Sequence, residues 1–473
     1  MKIPFFSGVQ IAPISLIDEG MTSCLDLLQQ TAAVNTLVLY PMTIYGVETN
    51  KPRLASRTAQ GNTHQPRNGH YARVSFQWHP EHMDRTRLGR PEEIPGAEAS
   101  GRDLVGEAAE AARSRGMKTV LRILEPCWGN AASQCIPHWN LVLSRDAAGR
   151  PQTLLSPAHP DYNHWILGIV ETLCRHYPVD GFKYGYERNT PLAMTLAGTS
   201  PGTGFDETFM ERARRDGLDP EAARRAYLSL HALVEELHAA TASPLEGSII
   251  LVARHLLEHP ELIAWDKYWY EAMEELPRLI HQLLHSIRPG LESGRHVAQG
   301  PVLYDLFDRA RINYGSMAAY TDWIKPSVYP TIAGPRMHAW WIQRSLSRTF
   351  KDLSAEELLR LTYRWTGQDP DREPGASALL ERGMSAASVG REIARTVAAV
   401  GGRCKVISGV GFDVPWWNEE PISVKEDARL VAGSITASME AGADGILLSR
   451  EFDEMTLPCL EAAGQAVRAA ASR

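Results

Sequence analysis

Three scarcities narrow this sequence before any motif is read. Cysteine is rare, six residues in 473, and the six are scattered. Cys24, Cys174 and Cys459 fall in segments with helical spacing and Cys404 opens an apolar strand, positions suited to small buried hydrophobes. Cys127 and Cys135 share a loop, but their spacing matches no zinc signature, and a reducing compartment would keep both as thiols. Structural disulfides and cysteine-bound zinc are therefore not expected. Long apolar runs are also missing: nothing approaches the roughly 20 residues that span a bilayer. The opening Met1-Lys2-Ile3-Pro4-Phe5-Phe6 lacks the apolar stretch and cleavage site of a signal peptide. As it stands, the chain is expected in the cytoplasm and off the membrane; a periplasmic or secreted chain whose leader has been removed would read the same. The third scarcity is positive charge. A net charge of −7 without a concentrated basic stripe argues against nucleic acid as a partner. Nor is there an internal repeat, a low-complexity tract or a Gly-rich dinucleotide loop after the first strand, and no cofactor is expected.

What is present is an alternation of apolar strands and amphipathic helices in a soluble composition, 44% hydrophobic and 22% charged. Strands are predicted at Val9 to Pro13, Asn35 to Pro41, Thr119 to Leu124, Val179 to Arg188, Arg295 to Gln299, Asp322 to Pro330, Cys404 to Val414 and Asp444 to Ser449. Helices are predicted over Thr22 to Ala33, Gly101 to Arg115, Asp161 to Tyr177, Glu221 to Ala240, Asp266 to Ile287, Glu356 to Thr366 and Leu457 to Ala471. Eight such units predict an α/β fold, a parallel (β/α)8 TIM barrel, with a doubly wound sheet as the weaker alternative. A barrel of this type takes about 250 residues. A single domain over 1–473 therefore needs large insertions, expected after strand 2 (residues 45–100) and strand 4 (residues 189–294) as lids or binding elements.

The fourth strand is the most informative stretch: Val179-Asp180-Gly181-Phe182-Lys183-Tyr184-Gly185-Tyr186-Glu187-Arg188. An Asp-Gly turn starts it, aromatics fill it and Asn189-Thr190-Pro191 stops it. Charged groups are costly to desolvate, so a strand ending on a carboxylate and a guanidinium asks for a functional reason. The C-terminal ends of barrel strands are where catalytic residues gather. That rule nominates Tyr40, Glu125, Glu187 with Arg188, His296 with Gln299, Tyr329, Asp413, and Arg450 with Glu451. Converging carboxylates suit acid–base work, because each pushes the other's pKa away from its own. Glu187 is the expected proton donor, against a structural salt bridge to an arginine. Asp413 is the expected nucleophile or base, against a turn-capping role before Pro415. Tyr40, Glu125, Arg188, His296, Tyr329, Arg450 and Glu451 are expected around substrate, Glu451 with helix capping as its competing role.

Tryptophans crowd the proposed loops at 78, 128, 139, 340, 341, 416 and 417. Most are expected to pin loops to the barrel; Trp78 and Trp416 are the choices for stacking on a sugar ring. Gln77-Trp78-His79-Pro80-Glu81-His82 offers two imidazoles and a carboxylate, but Pro80 breaks any helix that would align them and no further ligand is nominated. His79 is therefore assigned to hydrogen bonding with substrate, and no metal is assigned. Lys183 shares strand parity with Glu187. Lys183 or Lys325 would form a Schiff base if desolvated, although an ion pair inside the barrel is the favoured reading.

Four stretches carry a resemblance: Phe76 to His82, Tyr177 to Arg188, Gly334-Pro335-Arg336-Met337, and Glu440 to Arg450. Through them the chain resembles bacterial hypothetical glycoside hydrolase-like (β/α)8 barrel proteins, a group related to the barrel glycosidases. The resemblance implies an acid/base Glu after the fourth strand, matched by Glu187, and a nucleophile after the seventh, where Asp413 stands in place of the usual Glu. Tyr186 replaces the Asn that usually precedes the acid/base residue. The expected function is hydrolysis of a glycosidic bond in a carbohydrate or glycoside substrate. The alternatives are a lyase, isomerase or aldolase acting on a sugar-derived carbonyl compound through a lysine or a metal, and a non-catalytic carbohydrate-binding barrel. Self-association to a homo-oligomer is left open.

Overall fold

The structure is a computed structural model that describes residues 3–44, 73–92, 101–126, 131–412, 427–452 and 455–473. Eight strands close into a parallel barrel: β1 (Phe6–Ile11), β2 (Thr36–Leu39), β3 (Lys118–Leu124), β4 (Gly181–Gly185), β5 (Glu292–Val297), β6 (Trp323–Pro326), β7 (Lys405–Gly411) and β8 (Gly445–Ser449). Each pairs with its sequence neighbour, and β1 closes the ring on β8. The register at the functional edge pairs Leu124 with Gly185 and Tyr184 with Arg295.

Alternation along each strand separates two environments. Val9, Ile11, Leu37, Leu39, Leu121, Ile123, Phe182, Tyr184, Val410, Phe412, Ile446 and Leu448 face outward into the large core beneath the helices. The opposite parity points into the lumen, where Val38, Val120, Trp323, Ile407 and Leu447 form a small apolar plug with Phe6 against it. Above the plug the inward positions turn polar: Gln10, Arg122, Lys183, His296 and Lys325 are all buried.

Glycines on the inward parity make room for large neighbours. A Cβ on Gly294 would run into the Trp323 ring and one on Gly409 into the Lys325 side chain. A Cβ on Gly185 would come within 2.5 Å of the His296 Cβ, and one on Gly411 within 2.5 Å of the Tyr329 Cβ. Four of the largest lumen side chains thus each occupy space left by a glycine on the adjacent strand.

Helices Met21–Gln30, Leu104–Ser114, Pro160–His176, Glu275–Ile287, Ala386–Val400, Ala428–Glu440 and Leu457–Ala471 pack around the barrel. Their starts follow local chemistry: Asp103 accepts from the Gly106 N–H, and Ser354 with Glu357 forms a reciprocal capping box. The predicted single helix over Asp266 to Ile287 is two, Glu261–Met273 and Glu275–Ile287, parted at Glu274. Glu274 is buried there and binds Arg295, Tyr186 and Tyr320, a set of partners no local pattern announces. The predicted fifth strand begins earlier, at Glu292, and Gln299 already opens a short helix. Between β4 and β5 the chain forms Pro191–Leu196, Glu207–Arg215, Pro220–Ala239, Ser248–Glu258 and Glu261–Met273 before returning through Glu275–Ile287. A further helical excursion lies between β6 and β7, from Pro330–Arg336 and the π-helix Met337–Leu346 to Ala376–Arg382; of its helices only Ala355–Trp365, expected over Glu356 to Thr366, is marked in the sequence. It covers its own core around Ile324, Val328, Trp341, Leu358 and Tyr363. Among the described residues no helix is long and apolar enough to cross a membrane.

Candidate active site

β4 ends where the polar part of the lumen begins. Asp180 fixes its entry: its backbone N–H donates to the Thr119 carbonyl at 2.7 Å, and its carboxylate accepts from the Thr119 N–H at 2.8 Å. Thr190 and Pro191 then start the next helix. Between these anchors Tyr186, Glu187 and Arg188 keep the alternation of the strand, so Glu187 stands on the lumen side and its two neighbours on the helix side.

On the lumen side, His296 Nε2 lies 2.9 Å from Glu187 Oε1. His296 Nδ1 is a long 3.5 Å from the Ser327 hydroxyl, which in turn accepts from Lys325 Nζ at 3.2 Å. Lys325 also donates to the Tyr329 hydroxyl. Burial and the Lys325 charge hold His296 well below the usual imidazole range. Burial alone would raise Glu187, but the His296 hydrogen bond and the Arg336 and Arg122 guanidiniums outweigh it and hold its carboxyl far below the usual range. In the tautomer that carries its proton on Nε2, the ring donates to Glu187 and accepts from Ser327 at Nδ1. The result is one directed chain from Lys325 through Ser327 and His296 to Glu187.

The rest of the mouth is cationic. Arg122 stacks over the Tyr40 ring at 4.4 Å, and the Tyr40 hydroxyl and the Gln10 amide both donate to the Arg450 carbonyl. Gln10 also accepts from Lys183. Burial drives Lys183 well below the usual amine range, helped by Arg122 and Lys325 nearby. Burial likewise lowers Lys325, opposed by Tyr329. Tyr329 is raised by burial, but Lys325 outweighs this and leaves the phenol below its ordinary value. Glu451 is buried and close enough to support the charge of Arg122.

Glu187, His296, Tyr329, Tyr40, Arg450 and Glu451 therefore gather at or around the mouth. Glu125 and Arg188 do not: both turn outward and pair with each other. Arg188 Nη2 donates to Glu125 Oε2 at 3.0 Å, while Nε approaches Oε1 at 2.9 Å as a charge contact without hydrogen-bond alignment. The guanidinium also donates to the Leu155 carbonyl and lies 5.4 Å from the Trp269 ring centroid. The pair joins β3, β4 and the helices beyond, a bolt outside the lumen rather than a substrate contact. Trp78 is half-buried against the main core, 5.9 Å from Phe76. His79 lies on the outer surface beside His176. Asp413 and Trp416 fall outside the described residues. Sequence reading passed over Gln10, Arg122 and Ser327. For Arg122 a signal existed: a lone guanidinium in the middle of the apolar run Lys118 to Leu124.

No family model matches this sequence, and no curated protein matches it. Comparison with solved structures returns matches at low identity. An α-L-fucosidase isoenzyme 2 from Paenibacillus thiaminolyticus is 13% identical with a TM-score of 0.49, over 98% of this chain and 49% of that one. This chain thus spans about half the length of the fucosidase. The glycoside hydrolase domain of PgaB (BpsB) from Bordetella bronchiseptica is 14% identical with a TM-score of 0.43, over 94% of each chain. A β-galactosidase from Marinomonas ef1 is 11% identical with a TM-score of 0.48, over 98% of this chain and 59% of that one.

Proposed function

We propose that this chain is a glycoside hydrolase acting at the C-terminal mouth of the barrel on a carbohydrate or glycoside substrate. The observation that carries the proposal is Glu187: a lumen-facing carboxylate just past β4, 2.9 Å from His296 Nε2 and held below the usual carboxylate range by His296, Arg336 and Arg122. An ionised carboxylate at this place serves as the nucleophile or as the base that activates water, while a second carboxyl group protonates the leaving oxygen. The sequence reading gives Glu187 the proton-donor role instead; the present assignment follows the lowering of its pKa by its surroundings, where a resting proton donor needs it raised. The acid is then Asp413 or Glu451. Tyr40, Tyr329 and Arg450 line the approach and orient hydroxyls.

Turnover on a panel of aryl glycosides is the test. Glu187→Gln is expected to slow hydrolysis of every substrate that the native enzyme turns over, whatever its leaving group. Removal of the true acid, by Asp413→Asn or Glu451→Gln, instead spares substrates with good leaving groups, which depart without a proton. Full activity in Glu187→Gln would sink the assignment.

One observation favours a second reading. Lys183 and Lys325 are fully buried and held below the usual amine range, the condition for an uncharged amine nucleophile. A lyase or aldolase using either lysine would be trapped by borohydride in the presence of a carbonyl sugar, leaving a reduced adduct on that lysine. A hydrolase would leave none.

A further inference from the structure

A second cluster of reactive side chains lies apart from the strand ends, on the outer helix Pro160–His176. The short turn Pro80–His82 is held against this helix at two points. The Tyr177 hydroxyl accepts from the Gln77 N–H at 2.8 Å, and the His82 carbonyl sits so close over Gly168 that any Cβ there would collide with it. This brings His79, Glu81 and His82 onto His176. His79, Glu81 and His176 place one ligand atom each within 4.8 Å of one another. His82 Nε2 lies 3.3 Å from His176 Nε2, and the His79 and His176 rings stack at 4.0 Å. Glu81 Oε1 is 2.8 Å from His79 Nδ1.

Two facing imidazole nitrogens compete for one proton when no ion is between them. A separation of 3.3 Å is also about the edge of a tetrahedron whose metal–nitrogen bonds are roughly 2.0–2.1 Å long. The carboxylate on His79 Nδ1 resembles the outer-shell partner that fixes the tautomer of a ligating histidine and raises its basicity. We propose that His79, Glu81 and His176, with His82 facing His176 as a further ligand, form a binding site for a divalent transition-metal ion of the zinc class. Imidazole with one carboxylate suits zinc, copper or nickel and not calcium or magnesium. The turn and the helix come from different parts of the chain, so the ion would clip the segment that follows β2 onto the barrel's outer layer. The sequence offered only the two histidines and the carboxylate of the turn; the ligand it lacked, His176, is nearly a hundred residues away and reaches the turn only through the fold.

A second histidine cluster, His281 and His285 with Asp322, serves as the internal comparison. There Asp322 Oδ2 already accepts from the Ser293 N–H and hydroxyl and lies 3.2 Å from His285 Nε2, so its lone pairs are committed.

The test uses the full chain, stripped with chelator and titrated with Zn²⁺ alone by calorimetry, with bound zinc counted after gel filtration. We expect one zinc per chain and a rise in Tm on loading. His82→Ala and His176→Ala should each weaken binding by about tenfold or more and remove the Tm response, while His164→Ala, on the same helix but outside the cluster, and His285→Ala should leave both unchanged. Circular dichroism of each variant separates lost binding from lost folding. No stoichiometric zinc in the native chain, or zinc retained in His176→Ala and lost in His285→Ala, would overturn the proposal.

Discussion

The surroundings of Glu187 lower its pKa. His296, Arg336 and Arg122 stabilise the carboxylate more than burial penalises it. The sign follows from linkage: a carboxyl group lowered in the folded state adds stability above its ordinary value of 4.5 and gives it up as pH falls toward the folded value. Activity that needs ionised Glu187 should therefore persist below pH 4.5. A pH profile of kcat/KM checks this; an acid limb centred above that value would mean a different group titrates. Glu187→Gln is expected to lower kcat by about 10²–10⁴-fold, the usual worth of a positioned acid–base group. The Glu125–Arg188 bolt makes a separate prediction. Burial pushes Glu125 above the ordinary carboxylate range, although Arg188 opposes this. Arg188→Met alone leaves a buried carboxylate without its partner and should cost about 3–5 kcal/mol in urea unfolding. Glu125→Leu with Arg188→Met should recover much of that loss. The identity of these residues was legible in the sequence; their direction was not. Glu187 and Arg188 are adjacent, and only the strand parity set by β4 sends one to the lumen and the other to the helices.

At the scale of the element, the strands were readable because buried parallel strands are apolar on both faces and leave continuous runs such as Asn35 to Pro41. All eight fall where the sequence predicts a strand, with shifts of a few residues at their ends, although the fifth, Glu292–Val297, has no such apolar run. The helices between β6 and β7 were harder. Pro335 lies inside the helix Pro330–Arg336 and the chain then continues as a π-helix, so helical periodicity breaks where the structure stays helical. The inward glycines could not be assigned from sequence, since a strand glycine reads equally as a bulge, a bend or a close approach. Their pairing with Trp323, Lys325, Tyr329 and His296 gives a test. Gly294→Ala places a methyl group against the Trp323 ring and is expected to cost about 1–3 kcal/mol by chemical denaturation. Gly290→Ala, which meets nothing within 4 Å, should be close to neutral. Equal effects at the two positions would mean that the lumen has slack to absorb the methyl.

For the whole molecule, closure is the decisive property. β1 is hydrogen-bonded to both β2 and β8, so the ring has no free edge. Deleting Phe6–Ile11 should expose the edges of β2 and β8 together and yield aggregates, which size-exclusion chromatography and light scattering would register; a monomeric, cooperatively unfolding product would refute the expectation. Closure also explains which parts of the site could not be foreseen. Strands separated in sequence become neighbours only in the closed ring, so Gln10 on β1 reaching Arg450 past β8, or Arg122 on β3 meeting Tyr40 past β2, has no local signature.

The directed chain from Lys325 through Ser327 and His296 to Glu187 crosses three adjacent strand ends, those of β6, β5 and β4. A slip of one residue in any of the three would reverse side-chain parity and break it. The imidazole proton between His296 and Glu187 is therefore a single spectroscopic reporter of assembly. Its downfield, slowly exchanging proton resonance should emerge only when all three strands have locked into register, and it would follow the birth of the barrel from one hydrogen atom.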